Sequence, residues 1–518
     1  RGVPFSSRDA AAIDGMALSW WAGEIPETPA IVTSSSTVSF ASLNGRANQI
    51  ARALRRRGLG AGDGVAVLLR NQVEFAEVAF GTTRAGIRMT PINRYLTAEE
   101  VGYILADCDA KAIVADVSLR EAALAALAGA PLCETRLLVG GSAEGFDDYT
   151  EARDAEEPSD IADPSLGTSM VYTSGTTGRP KGVFRSPRGT VSMVGLNIYG
   201  YREGGGDVHL CTGPLHHAAP LGFSLAAPIS YGAGVVLMEK FDPAEVLRLV
   251  EEHKVTHTHM VPTMFHRLLS APEEVRSSAD ISSLRYVLHG AAPCPVTVKQ
   301  KIIEWFGPIV WEYYAASEGL GSFVDSETWL AHPGTVGKPY TAGQMIVGDE
   351  DCRRLPVNEI GLIWLRPPEA ARFAYYKDAE KTASSYRGEY FTLGDVGYED
   401  DAGYFYLTDR TANLIISGGV NIYPAEVDAV LLQHPAVADA ATIGIPDQEW
   451  GESVLAVVEL QAGIAPSDEL AVELKDLCRQ QLAHYKCPRA VDFVANLPRQ
   501  DNGKIYKRVL RDRYRANA

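Results

Sequence analysis

The sequence predicts an α/β protein with mostly parallel sheets and a smaller α+β unit at its C-terminal end. Three observations carry this expectation. At 518 residues the chain exceeds what one ordinary core can hold, so two or more domains are expected. Strand-like apolar runs alternate with helical patterns between residues 37 and 115, which points to parallel strands joined by crossover helices. Beyond Pro435 the order becomes strand (436–443), strand (454–460), helix (468–482) and strand (490–494), a compact unit of about a hundred residues.

Thr37-Val38-Ser39-Phe40 reads as a strand end, and Ser42 as the cap of the helix that follows. Leu43, Ala47, Ile50 and Leu54 recur at helical spacing. Arg55-Arg56-Arg57 then suits the negative pole of that helix as a solvated end. A glycine-rich turn over 58–64 leads to a buried strand at 65–69, followed by a helix at 75–85 and a strand at 112–115. Residues 140–164 are acidic and read as a loop. Asp242 caps a helix with Pro243 in its first turn. Thr256-His257-Thr258-His259-Met260 alternates like a strand, with both histidines on one face. No third ligand or carboxylate accompanies them, so the pair reads as structural. Leu284-Arg285-Tyr286-Val287-Leu288 is a strand that empties into His289-Gly290-Ala291-Ala292-Pro293, small residues suited to a flat ring laid against backbone.

Composition excludes several classes of protein. With 46% hydrophobic and 22% charged residues the chain is globular, and a net charge of −17 argues against nucleic acid or an anionic membrane surface as partner. Seven scattered cysteines without a CxxC pair suit a reducing compartment, so a cytoplasmic protein is expected. Residues 1–30 lack the apolar core of a signal peptide. The uncharged stretch 218–238 has the length of a membrane span. Pro220, Gly222, Pro228, Gly232 and Gly234 break it into a buried helix and then a strand, so it reads as core and no transmembrane segment is expected.

The chemistry concentrates in Val171-Tyr172-Thr173-Ser174-Gly175-Thr176-Thr177-Gly178-Arg179-Pro180-Lys181-Gly182, at the end of a strand-like run. Glycines let backbone N–H groups crowd round a phosphate, hydroxyls add donors and the lysine adds charge. This is a triphosphate grip. It is not a Walker A loop, because Arg179-Pro180 separates Gly178 from Lys181 and Gly182 stands where a metal-holding hydroxyl would be. The metal ligand must come from elsewhere in the chain.

The stretch resembles the phosphate loop of the class I adenylate-forming superfamily: acyl-CoA synthetases, peptide-synthetase adenylation domains and luciferases. Further motifs follow in the family's order and span the chain. They are Glu312-Tyr313-Tyr314-Ala315-Ala316-Ser317-Glu318-Gly319, Thr392-Leu393-Gly394-Asp395, Thr408-Asp409-Arg410, Gly418-Gly419-Val420-Asn421-Ile422 and Pro498-Arg499-Gln500-Asp501-Asn502-Gly503-Lys504. The resemblance implies a large N-terminal adenylation domain of stacked α/β subdomains over 1–409. It implies a small mobile α+β cap over 410–518 that carries the catalytic lysine.

The same resemblance implies the site. Thr173, Ser174, Gly175, Thr176, Thr177, Gly178 and Lys181 would hold the triphosphate, and Gly290, Ala291, Ala292, Pro293, Tyr313 and Tyr314 the adenine. Ser317 would meet phosphate, and Asp395 and Arg410 the ribose. Glu318, with Thr173, would hold Mg²⁺. His216, His217, Gly290, Tyr313 and Ala315 would line the acid pocket, and Gly418 and Gly419 a tunnel for coenzyme A. Lys504, Glu318, Lys181 and His217 form the expected catalytic set. Tyr313 and Ala315 depart from glycines common in the family, Ser317 and Leu393 replace threonines, and Ala412 replaces the Lys or Asp usual at the hinge.

The expected reaction has two steps, with ATP, Mg²⁺ and coenzyme A as its cofactors. A small-molecule carboxylic acid attacks Mg·ATP to give acyl-AMP and pyrophosphate, and coenzyme A then takes the acyl group and releases AMP. The surroundings of His216-His217 and Tyr313-Tyr314 suggest a medium- or long-chain or bulky acid. One alternative is an adenylating enzyme that serves a carrier protein or separate thiolating partner. A silent nucleotide-binding scaffold is the more remote alternative, since Lys181, Glu318, Asp395, Arg410 and Lys504 are all present. The sequence leaves a homodimer open.

Overall fold

The computed structural model describes residues 5–173, 180–187, 198–202, 204–410, 413–417, 420–447, 450–500 and 503–516, and of 409, 410, 421 and 516 the backbone alone. One sheet has six strands, all parallel, in the order Asp147–Asp148, Thr135–Val139, Ala110–Asp116, Gly64–Leu68, Arg88–Pro91, Thr168–Ser169. Its central strand Gly64–Leu68 is buried at every residue, as a parallel strand covered on both faces must be.

The second sheet joins a parallel half to an antiparallel half. The parallel strands are Pro29–Val32, Gly234–Leu237, Val208–Cys211, His257–Met260, Tyr286–Gly290 and Val310–Ala316. The antiparallel half continues through Gly319–Val324, Thr335–Pro339, Phe405–Arg410, Tyr390–Glu399, Gly361–Leu365 and Met345–Gly348. Helices Phe40–Arg56 and Val73–Arg84 contribute Leu43, Ile50, Phe75 and Val78 to one core with Val65 and Val67 of the first sheet and Ile31 and Val235 of the second. The two sheets therefore share these helices as a common layer.

A separate five-stranded sheet begins at Ile415–Ser417 and Val420–Ile422 and is completed by Val437–Asp447, Gly451–Leu460 and Ala490–Val494. Helices Pro424–Leu431, Asp468–Gln481 and Lys507–Ala516 accompany it. Val427, Leu431, Val458, Leu474 and Cys478 fill its core. The protein is thus α/β, with a small α+β unit following two stacked sheets.

Several local expectations change. The cap of the first long helix is Ser39, whose Oγ accepts the Ser42 N–H at 3.2 Å. The fully buried Phe40 is drawn into the first turn, which moves the helix start ahead of Ser42. The arginines at its other end reach solvent, Arg56 most, and also find acidic partners. Arg55 pairs with Asp163 at 2.7 Å and Arg56 with Glu156 at 2.7 Å. Residues 140–164, expected as loop, contain the helix Tyr149–Asp154, whose Tyr149 hydroxyl donates to the buried Glu77 at 2.9 Å. Residues 218–238 form a π-helical segment Pro220–Ala226, a helical turn Ala227–Ser230 and the strand Gly234–Leu237. Among the described residues no helix is long and apolar enough to cross a membrane. Asp395, expected at a strand end, lies within Tyr390–Glu399, where Gly394 takes a φ of 77° and the register shifts.

Candidate active site

The stretch expected to hold phosphate is flanked by two paired strands. Strands Val171–Thr173 and Lys181–Phe184 pair antiparallel with Thr173 opposite Lys181, and Ala374–Tyr375 adds a third strand beside them. Thr173 and Lys181 therefore stand at the two feet of the loop, whose Ser174, Gly175, Thr176, Thr177 and Gly178 lie outside the described residues. The Lys181 ammonium is ion-paired with the Asp378 carboxylate, with the Tyr375 ring 5.8 Å away. The Tyr375 hydroxyl donates to Glu318 Oε1 at 3.1 Å.

Arg185 binds the same region from behind. Its guanidinium donates to the Ser317 carbonyl and, at 3.2 Å, to that of Ala371. Burial lowers its pKa, and the charge of Glu318 opposes that shift. Glu318 is itself buried, so its charge acts on Arg185 with little screening.

A second group lies on strands Val310–Ala316 and Tyr390–Glu399 of the large sheet. The Tyr314 hydroxyl donates to Asp395 Oδ2 at 2.6 Å, with both residues buried. Asp395 stands opposite Arg410 in the strand register, though the Arg410 side chain is outside the described residues. Ala291 adopts a φ of 67°, a left-handed backbone that a non-glycine residue holds only where its surroundings impose it. Ala291 and Ala292 are half-buried and Pro293 exposed, so this turn is open to a ligand.

Strand alternation sends Tyr313 to the opposite face from Tyr314. Its hydroxyl hydrogen-bonds the His259 ring at Nε2, 3.0 Å away. The Tyr314 side chain thus faces Asp395, and that of Tyr313, expected at both adenine and acid, faces His259 on the other side of the strand. The His216 and His217 rings lie 4.6 Å apart, with His216 buried and His217 half-buried, and Ala315 is half-buried beside its strand neighbours.

Lys504 arrives from the small unit. Its carbonyl accepts the Gln500 N–H at 2.8 Å, and Gly503 closes the turn with a φ of 84°. A Cβ on Gly503 would sit 2.5 Å from Thr263 Oγ1, so this glycine is needed both for the turn and for its seat on helix Pro262–Leu269. That helix starts where strand His257–Met260 ends. Gly418, Gly419 and Ala412 lie outside the described residues.

Asp378, Tyr375, Arg185 and His259 were not singled out for this site from sequence. Asp378 reads locally as the cap of helix Ala379–Ser385, which it also is. Its pairing with Lys181 spans 197 positions, and that of Arg185 with Ser317 spans 132, so no local pattern carried either.

The Lys181 hairpin, the buried Glu318, the Tyr314–Asp395 pair and the Lys504 turn from the small unit are the parts of the candidate site. The model of the AMP-binding enzyme family matches residues 18–375, and that of the AMP-binding enzyme C-terminal domain matches 426–504. The chain belongs to the AMP-binding enzyme family. It is similar to feruloyl-CoA synthase of Amycolatopsis sp, 33% identical over 496 residues covering 94% of this chain and 96% of that one. It is also similar to the fatty acid–[acyl-carrier-protein] ligase ScoC of Streptomyces coeruleorubidus, 31% identical over 94% of each chain. Among solved structures, the anthranilate CoA ligase AuaEII in complex with anthranoyl-AMP superposes with a TM-score of 0.88 at 26% identity, over 99% of this chain and 98% of that one. The protein is an AMP-forming acid–thiol ligase of the acyl-CoA synthetase type: it activates a carboxylic acid with ATP and Mg²⁺ and passes the acyl group to coenzyme A.

Proposed function

We propose that the acid is adenylated between the Lys181 hairpin, the Tyr314–Asp395 pair and the Lys504 turn. The observation that carries this reading is the seat of Gly503 on Thr263, which brings the Lys504 turn onto the large unit at a strand end. In this reading Lys504 bridges the acid carboxylate and the α-phosphate, which holds the two reacting groups in line and offsets their charge. Lys181 leaves Asp378 to meet the outer phosphates, Asp395 accepts the ribose hydroxyls, and Tyr314 and the Ala291 turn receive the adenine. No general base is required, because a carboxylate is already ionised at pH 7.

Glu318 and Thr173 are the proposed Mg²⁺ ligands. Both are hard oxygen donors, and among the described residues no cluster of three or more His, Cys, Asp or Glu could hold a metal. One carboxylate completed by substrate phosphates is the arrangement Mg²⁺ prefers, and when bound the ion neutralises phosphate charge. Glu318→Ala is expected to raise the Mg²⁺ concentration for half-maximal pyrophosphate release at least tenfold. An unchanged titration would remove Glu318 as a ligand.

We place the domain division just after Arg410, since strand Phe405–Arg410 pairs into the large sheet and strand Ile415–Ser417 into the small one. The seven cysteines are free thiols, which supports a reducing cytoplasm as the place of action. A second reading, transfer of the acyl group to a carrier protein, is favoured by Ala412 at the hinge and by the likeness to ScoC.

A further inference from the structure

The second face of strand Val310–Ala316 is built differently from the nucleotide face. Tyr313 lays its ring against Gly290, where a Cβ would come within 2.6 Å of its Cε1. Phe223 packs on Tyr313 with centroids 5.0 Å apart, on His259 at 5.7 Å and on Tyr199 at 6.0 Å. Tyr199 in turn meets the His209 ring edge-on at 5.7 Å. Phe223 is the one of these five that is not buried, so the wall opens where Phe223 stands. It rides on the π-helical segment Pro220–Ala226, a backbone form that recurs at functional sites.

This wall is not an apolar channel. The Tyr199 hydroxyl and His209 Nε2 are both buried and have no hydrogen-bond partner among the described residues. Burial also keeps the rings of His209 and His259 neutral at pH 7. His209 holds Tyr201 through Nδ1 at 2.7 Å, which leaves Nε2 for a further partner. An alkyl chain entering at Phe223 would leave both polar atoms unpaired and would press on the Tyr313–His259 bond. A rigid ring can stack on Phe223 and Tyr313, and a hydroxyl on that ring can supply the missing partner.

We propose that this wall is the far end of the acid site and that the acid is a hydroxylated ring carboxylic acid, with Tyr199 and His209 as partners of its hydroxyl. The inference rests on the acid-activating reading above and narrows the expected medium- or long-chain or bulky acid to a hydroxylated ring acid.

The test is pyrophosphate release with Mg·ATP and coenzyme A for pairs that differ in hydroxylation: 4-hydroxybenzoate and benzoate, 4-hydroxycinnamate and cinnamate, cholate and cholanate, with decanoate beside them. The native enzyme is expected to favour the hydroxylated member of at least one pair by tenfold or more in kcat/KM. In Tyr199→Phe, and separately in His209→Leu, that preference should fall to threefold or less. Equal or better use of every unhydroxylated member, or decanoate surpassing all ring acids, overturns the proposal from the native enzyme alone, whether or not the variants fold. A preference that survives Tyr199→Phe in folded protein also overturns it. Release with decanoate only leaves the ligase reading standing, whereas no release with any acid removes that reading as well.

Discussion

Lys504 sits on a turn whose position depends on one glycine. Lys504→Ala is expected to slow acyl-AMP formation by about a hundredfold or more, the scale of losing one charge-stabilising donor. Thioester formation from preformed acyl-AMP should change by less than about threefold, because that step does not pass through the carboxylate–phosphate bridge. Equal loss of both steps would refute the role. Gly503→Ala should reproduce much of the adenylation defect with the lysine intact, since φ and the Thr263 contact both reject a methyl group. Single-turnover pyrophosphate release reads both variants. At this scale the motifs singled out Lys181, Glu318 and Asp395, and the structure pairs Lys181 with Asp378 and buries the two carboxylates. Their partners Asp378, Tyr375 and Arg185 come from distant segments, and only the tertiary pairing of strands brings them together.

At the scale of elements, two buried polar arrangements deserve numbers. Lys299 of helix Val296–Phe306 and Glu312 of strand Val310–Ala316 form an ion pair at 2.5 Å, with the lysine side chain fully buried. Removing one partner leaves the other charged in low dielectric, so Lys299→Met is expected to cost about 3–5 kcal/mol, read as a lower urea midpoint. Strand His257–Met260 supplies the second arrangement. Burial pushes His257 down to about 4 and His259 to about 3 from the ordinary 6.5, with the Asp207 carboxylate opposing the shift at His257. Between pH 6.5 and 4 the unfolded chain therefore binds protons that the folded one does not, and stability falls as pH falls through that window. The urea midpoint should drop between pH 7 and pH 5, and by less in His259→Gln. An identical pH dependence in that variant would exclude His259 as a contributor.

Element boundaries were legible where apolar periodicity was strong, as in the helix of Leu43, Ala47, Ile50 and Leu54. They were less so where a long-range contact decides. Phe40 entered the helix because the core takes its ring, and helix Tyr149–Asp154 formed in an acidic stretch because its Tyr149 and Arg153 both bind the buried Glu77.

For the whole molecule, strand–helix alternation announced the parallel sheets, and the change of pattern after Pro435 announced the separate unit. The antiparallel half of the large sheet was harder to read, since its strands pair across long gaps, Thr335–Pro339 with Phe405–Arg410 among them. That half brings Asp395 beside Tyr314.

The most direct measurement is pyrophosphate and thioester formation on a panel of carboxylic acids, with and without coenzyme A. We expect one acid to give a stoichiometric burst of pyrophosphate alone, and sustained turnover with acyl-CoA and AMP as products once coenzyme A is added. Pyrophosphate without any thioester would contradict transfer to coenzyme A and point to a carrier protein as acceptor.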